Sequence, residues 1–230
     1  MPDRNAQRVP SASPEWDFQV TVDDTVLDGN LAVPTGVVGV VAFAHGSGSS
    51  RFSPRNRHVA AALQARGLAT LLLDLLTPEE EALDDRTREL RFDIVLLAHR
   101  MVAAVDALAA SATTRSLPVG LFGASTGAAA ALLAAAERPE AVGAVVSRGG
   151  RPDLALERLP EVRAPTLLIV GERDTPVIGM NRAALAALTC PKALELIGGA
   201  THLFAEPGAL EQVAHLSGAW FLRHLPVDAA

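Results

Sequence analysis

Hydrophobic positions along this chain fall into two rhythms. Short, nearly unbroken apolar runs occur at 38–45 (VGVVAFAH), 68–76 (LATLLLDLL), 117–124 (LPVGLFGA), 141–147 (AVGAVVS), 164–171 (APTLLIVG) and 193–199 (ALELIGG). Runs of strand length that do not alternate predict strands covered on both faces. Between them the apolar residues take helical spacing. RNRHVAAALQARG closes at Gly67, and the segment 87–110 places Ile94, Leu97, Met101, Val105 and Leu108 on one face. STGAAAALLAAAERP stops at Pro139, and the last such segment lies between Pro207 and Pro226. Near the start, FQVTVDDTVLDGNLAVP alternates as a hairpin at a sheet edge does. Strand and helix taking turns predict an α/β fold: a mostly parallel, twisted sheet with helices on both faces. In such sheets ligands gather at the C-terminal ends of the strands.

Composition narrows the classes of function. A chain of 230 residues fits one α/β domain. Residues 1–16 (MPDRNAQRVPSASPEW) have no apolar stretch of signal-peptide type and read as a flexible tail, leaving 17–230 as the domain. The net charge of −6 gives no reason to expect nucleic acid or an anionic membrane as partner. The single cysteine, Cys190, excludes an internal disulfide. No apolar run reaches the length of about 18 residues that spans a bilayer. The expectation is a soluble, cytoplasmic protein acting on a small molecule; oligomeric state is not legible.

The chemistry centres on Gly123-Ala124-Ser125-Thr126-Gly127, a G-x-S-x-G between a strand and a helix. A sharp strand-to-helix turn there would raise the serine oxygen above the sheet, at a helix N-terminus that favours negative charge. The alternative is an ordinary N-capping serine. A serine nucleophile needs a base. His58, His99, His215 and His224 fall in helical segments, whereas His202 follows the last strand on a glycine-loosened loop (GGATHLFAEP). The base needs an orienting acid. Asp174, just past the strand of LLIVGERDTPV, lies between Ser125 and His202 in sequence, with Glu172 and Asp153 as competitors. The loop of AFAHGSGSS offers the backbone N–H of Ser47, which with that of Thr126 would form an oxyanion hole. A phosphate loop is the competing reading, but G-x-x-x-x-G-K-[ST] is absent. No metal or organic cofactor is implied.

Taken in order, HGSGSS, GASTG, GERD and GATH resemble the α/β-hydrolase fold, and the run from about Val37 to Leu225 resembles its dienelactone-hydrolase-like branch. SSRFSPRNRHVA, DLLTPEEE, RFDIVLLA and VVSRGGRPDLA are similar to a subgroup often attached to a phosphoribosyltransferase domain. The resemblance implies Ser125 as nucleophile, His202 as general base, Asp174 as its partner, and Ser47 and Thr126 as oxyanion donors. Dienelactone hydrolases themselves use a cysteine where this chain has Ser125, so their substrate does not carry over with the motif. The stretch from Ser147 to Ala164 is too short for a large cap domain, which points to an open site for small or short-chain esters. His45, Gly46, Arg51, Arg148 and Arg151 lie in loops expected to border that site, and the arginines suit a carboxylate-bearing substrate. Thioester or amide hydrolysis and acyl transfer are alternatives on the same triad, as is a hydrolase-like domain that binds without turnover.

Overall fold

Alternation in the N-terminal segment builds a hairpin: β1 (Glu15–Val22) and β2 (Thr25–Ala32) pair antiparallel with Val22 opposite Thr25. Asp23 turns the chain at φ 51°, a left-handed conformation that Asp tolerates better than most residues. The computed structural model describes residues 13–225. Strand β1 therefore starts inside the segment that the sequence assigns to the tail: Glu15 and Trp16 pair with Ala32 and Leu31. The remainder of that tail reading, residues 1–12, lies outside the described residues.

The apolar runs form β3 (Gly39–Ala44), β4 (Leu68–Leu73), β5 (Val119–Ala124), β6 (Val142–Arg148) and β7 (Thr166–Gly171), and the run broken by Glu195 forms the largely exposed β8 (Lys192–Ile197). Sheet order is β1-β2-β4-β3-β5-β6-β7-β8, parallel from β4 onward, with β2 antiparallel to β4. Every residue of β3, β4, β5 and β7 is buried, as expected for strands covered on both faces. Along β3 the two-residue period divides the side chains: Val40, Ala42 and Ala44 enter one core, Val41 and Phe43 the other. The first core is closed mainly by α3 (Ile94–Ala110) and α4 (Thr126–Glu137), the second by α1 (Pro54–Gln64) and α6 (Ala209–His224).

The segment 87–110 is not one helix. A helix α2 (Pro78–Thr87) ends there, Arg88 turns left-handed at φ 60°, and a 3-10 turn (Leu90–Phe92) leads to Asp93, whose carboxylate caps α3 by accepting from Leu96 N–H at 3.0 Å. The cause is the buried carboxylate of Asp84, which accepts from the backbone N–H of Arg91 (3.0 Å) and from its guanidinium. Burial alone would raise the pKa of Asp84, but these donors outweigh it and hold the group below the usual carboxylate range. Helix α2 carries no apolar stripe to predict it, since Asp84 is its one buried residue. It is fixed instead by a Thr77–Glu80 capping box and by Arg100, which grips Glu80 from α3.

Helix α5 (Thr175–Ala187) follows β7. Between β6 and β7 runs only a short 3-10 segment (Pro152–Glu161), so no cap domain is inserted at that point. Among the described residues no helix is long and apolar enough to cross a membrane.

Candidate active site

Ser125 joins β5 to α4 at φ 52°, ψ −123°, a backbone conformation that residues with a Cβ rarely adopt. It occupies the N-cap position, yet its side chain makes no capping hydrogen bond. From Val119 to Leu132 every residue but Ser125 is buried. The flanking glycines supply space: a Cβ on Gly123 would overlap the backbone of Ala128, and one on Gly127 the carbonyl oxygens of Ala44 and His45. The spacing thus lets α4 start tight against β3 while the strained conformation falls on the serine. The residues after β6 hold the turn from its other side. Ser125 N–H donates to Arg148 O (3.2 Å), and Arg151 N–H donates to Ser125 O (3.0 Å).

Asp174 and His202 come from loops after β7 and β8 that are bound together by Arg173 N–H donating to Ala200 O (2.9 Å). Asp174 is at the N-cap position of α5 but does not cap it; its Oδ2 lies 2.6 Å from His202 Nδ1. The carboxylate is nearly buried (11% exposed) and the imidazole half open (40%). The ring lies over the turn after Arg148: a Cβ on Gly149 would come 3.5 Å from His202 Cε1. Ser125, Asp174 and His202 thus sit in the turns that follow β5, β7 and β8, at the C-terminal end of the sheet, and the Arg148–Gly149 turn lies between the serine backbone and the His202 ring. The competing carboxylates are held elsewhere, Asp153 by Arg151 (2.8 and 2.9 Å) and Glu172 by Gly199 N–H (2.8 Å).

The loop after β3 lies on the serine turn. A Cβ on Gly46 would be 3.0 Å from that of Ser125, and Ser47 Oγ lies 3.0 Å from Thr126 Oγ1. That approach puts the backbone of Ser47 beside the first residue of α4. A cavity of about 280 Å³ opens next to this hydroxyl pair, lined by His45, Gly46, Ser47, Glu81, Arg91 and Thr126 among others. His45 is buried and committed to the scaffold. Its Nε2 accepts from Leu75 N–H (3.0 Å), and its Nδ1 is 3.0 Å from Gly46 O. Burial lowers its pKa, which favours the neutral ring that this pattern requires.

Of the three arginines, two are already neutralised within the chain. Arg51 holds Asp74 through both its backbone N–H (2.5 Å) and its guanidinium, and Arg151 holds Asp153. Arg148 is buried, with Asn56 Oδ1 at 3.5 Å as its one side-chain hydrogen bond among the described residues. Two participants escape sequence reasoning. Asn181 in α5 is fully buried and donates to Gly150 O (3.0 Å) and Val177 O (2.9 Å), pinning the turn that holds Ser125. Its one signal is a polar residue four positions after Val177, on the buried face of α5. Arg55, in the first turn of α1, has a buried Nε with no partner. Among the described residues no group of three or more His, Cys, Asp or Glu side chains is placed to hold a metal ion.

Residues 27–219 match the dienelactone hydrolase family model. A crystal structure of a dienelactone hydrolase from Anabaena variabilis is similar at 61% identity and a TM-score of 0.92, covering 93% of this chain and 99% of that one. Est1E from Butyrivibrio proteoclasticus shares the fold, at 16% identity and a TM-score of 0.75 over 90% of this chain and 98% of the other. Proteins from two strains of Mycobacterium tuberculosis, whose names place them provisionally among phosphoribosyl transferases, are 56% identical over 209 residues. That match takes in 91% of this chain but 46% of theirs, so the chain spans about half the length of these relatives.

Proposed function

From a chain that belongs to the dienelactone hydrolase family and has its α/β-hydrolase fold, we propose a serine hydrolase that cleaves small or short-chain carboxylic esters through an acyl-enzyme. The observation that carries this reading is the 2.6 Å contact between Asp174 Oδ2 and His202 Nδ1, with the imidazole over the turn that binds the backbone of the strained, uncapped Ser125. With Nδ1–H donated to Asp174, the lone pair of Nε2 faces outward as a base. His202 takes the proton of Ser125, whose oxygen attacks the ester carbonyl. Ser47 and Thr126 N–H groups hold the oxyanion, each such donor being worth roughly 2.7–4 kcal/mol. The proton on His202 passes to the leaving alcohol; a water activated by the same imidazole then releases the acid and frees the serine. The lack of an inserted cap between β6 and β7 supports small substrates.

The test is a panel of p-nitrophenyl esters graded in acyl length, run beside Ser125→Ala. Activity is expected to be highest for the shortest chains and to vanish in the variant. A steady rise toward long acyl chains would contradict the substrate size, and undiminished hydrolysis by Ser125→Ala would contradict the nucleophile.

A further inference from the structure

Two buried arginines in this fold are treated in opposite ways. Arg100, 3% exposed, is paired with a carboxylate: its guanidinium donates to both oxygens of Glu80 and to Leu75 O. Arg148, 8% exposed, has Nε and Nη1 buried without a hydrogen bond, and among the described residues its one side-chain hydrogen bond is the long one to Asn56. Its neighbour is a second cation, Arg55, whose own Nε is buried and unpartnered. Among the described residues neither arginine pairs with a carboxylate, in a chain with 26 Asp and Glu against 20 Lys and Arg. Burial and the charge of Arg55 push the Arg148 guanidinium down to about 10, which still leaves it a cation at neutral pH. A buried, unpaired charge is costly, and a fold that keeps one beside a like charge has a use for an anion there.

The position says which anion and where. Asn56 and Arg55 belong to the first turn of α1, an 11-residue helix whose N-terminus adds its own partial positive charge. Arg148 O accepts from Ser125 N–H, the next residue packs against His202, and the Phe204 ring lies 5.9 Å from the guanidinium. Phe204 is itself held at φ 55°, two residues beyond His202, so the loop that carries the histidine also walls this pair.

We propose that Arg55, Arg148 and the first turn of α1 form a subsite for a doubly charged oxyanion, so that the esters cleaved at Ser125 carry a phosphate-type group. This rests on the hydrolase reading for the cleavage, but not for the binding. Two guanidinia and a helix terminus match a dianion; a single carboxylate would leave net positive charge in a buried place. Arg55 is partly exposed, and its side chain is the member that admits the ligand.

Inorganic phosphate is the probe, titrated by calorimetry into the wild-type chain, Arg148→Gln and Arg55→Gln, with acetate as the monoanion control. Phosphate is expected to bind wild type and raise its Tm, to bind each variant at least about tenfold more weakly, and to bind better than acetate. Without phosphate, Arg148→Met is expected to raise Tm, because it removes an unpaired buried charge, whereas loss of a structural arginine would lower it. Wild type that ignores phosphate, variants that bind it equally, or acetate binding as well as phosphate would overturn the subsite. Fluorophosphonate labelling of the same samples keeps the two readings apart. Labelled Ser125 without phosphate binding removes the subsite alone, and phosphate binding without labelling leaves it standing while the hydrolase reading fails.

Discussion

Asp174 Oδ2 and His202 Nδ1 lie 2.6 Å apart although 28 positions separate them in sequence. The contact fixes which nitrogen of the ring carries the proton, because a carboxylate accepts and only Nδ1–H can donate to it. In Asp174→Asn the amide can donate to Nδ1 instead, which favours the wrong tautomer for a base. The expected loss in kcat is roughly 10³–10⁴ with the fold retained by circular dichroism. Asp153→Asn and Glu172→Gln, whose carboxylates are engaged by Arg151 and Gly199, are expected to stay within a few-fold of wild type. A larger loss in either than in Asp174→Asn would reassign the acid.

Strain at the serine gives a prediction about stability. At φ 52°, ψ −123° a Cβ is penalised by on the order of 1–3 kcal/mol. Ser125→Gly is therefore expected to unfold at higher urea than Ser125→Ala, by about 1 kcal/mol, although both remove the nucleophile. Equal midpoints would mean that the turn is relaxed in solution.

Asn181 holds the turn that clasps Ser125, through Gly150 O. Replacing it with leucine leaves that buried carbonyl without its donor, at a cost of about 1–3 kcal/mol. The expected result is a fall in kcat with KM for a neutral ester little changed, because the turn positions Ser125 rather than the substrate. A stability loss with kcat intact would make Asn181 purely structural.

His45 gives the pH dependence. Its folded pKa is lowered, so the unfolded chain takes up the proton first, and stability falls as pH drops below about 6.5 until the folded pKa is passed. Protonation would also turn Nε2 into a donor facing the donor Leu75 N–H. Urea midpoints at pH 7.5, 6.5 and 5.5 are expected to decline less steeply in His45→Gln than in wild type. Parallel slopes would assign the decline to other groups.

The pairing of Asp174 with His202 was legible because each follows a strand end in the chain order Ser, acid, His. Six strands were legible because β3 to β7 are apolar runs bounded by glycine, proline or polar residues, and β8 keeps enough apolar residues around Glu195 to read as a strand. The break at Arg88 was not, since it depends on Asp84 meeting Arg91 in the folded state, and residues 87–110 otherwise read as one helix. The pairing of Arg51 with Asp74 and the unpaired state of Arg148 were equally hidden. An arginine just past a strand, such as Arg51, or at a strand's last position, such as Arg148, looks the same in sequence whether it holds a carboxylate 23 positions away or none at all. The glycines of the serine turn were visible, but not their separate task of making room while Ser125 takes the positive φ.

Activation of Ser125 as a nucleophile is tested most directly by the intact-protein mass after treatment with a fluorophosphonate. Wild type is expected to gain one adduct that maps to Ser125, with none on Ser125→Ala and a much slower gain on His202→Ala. A folded wild-type protein that gains no adduct, or one that maps to another residue, would contradict the account.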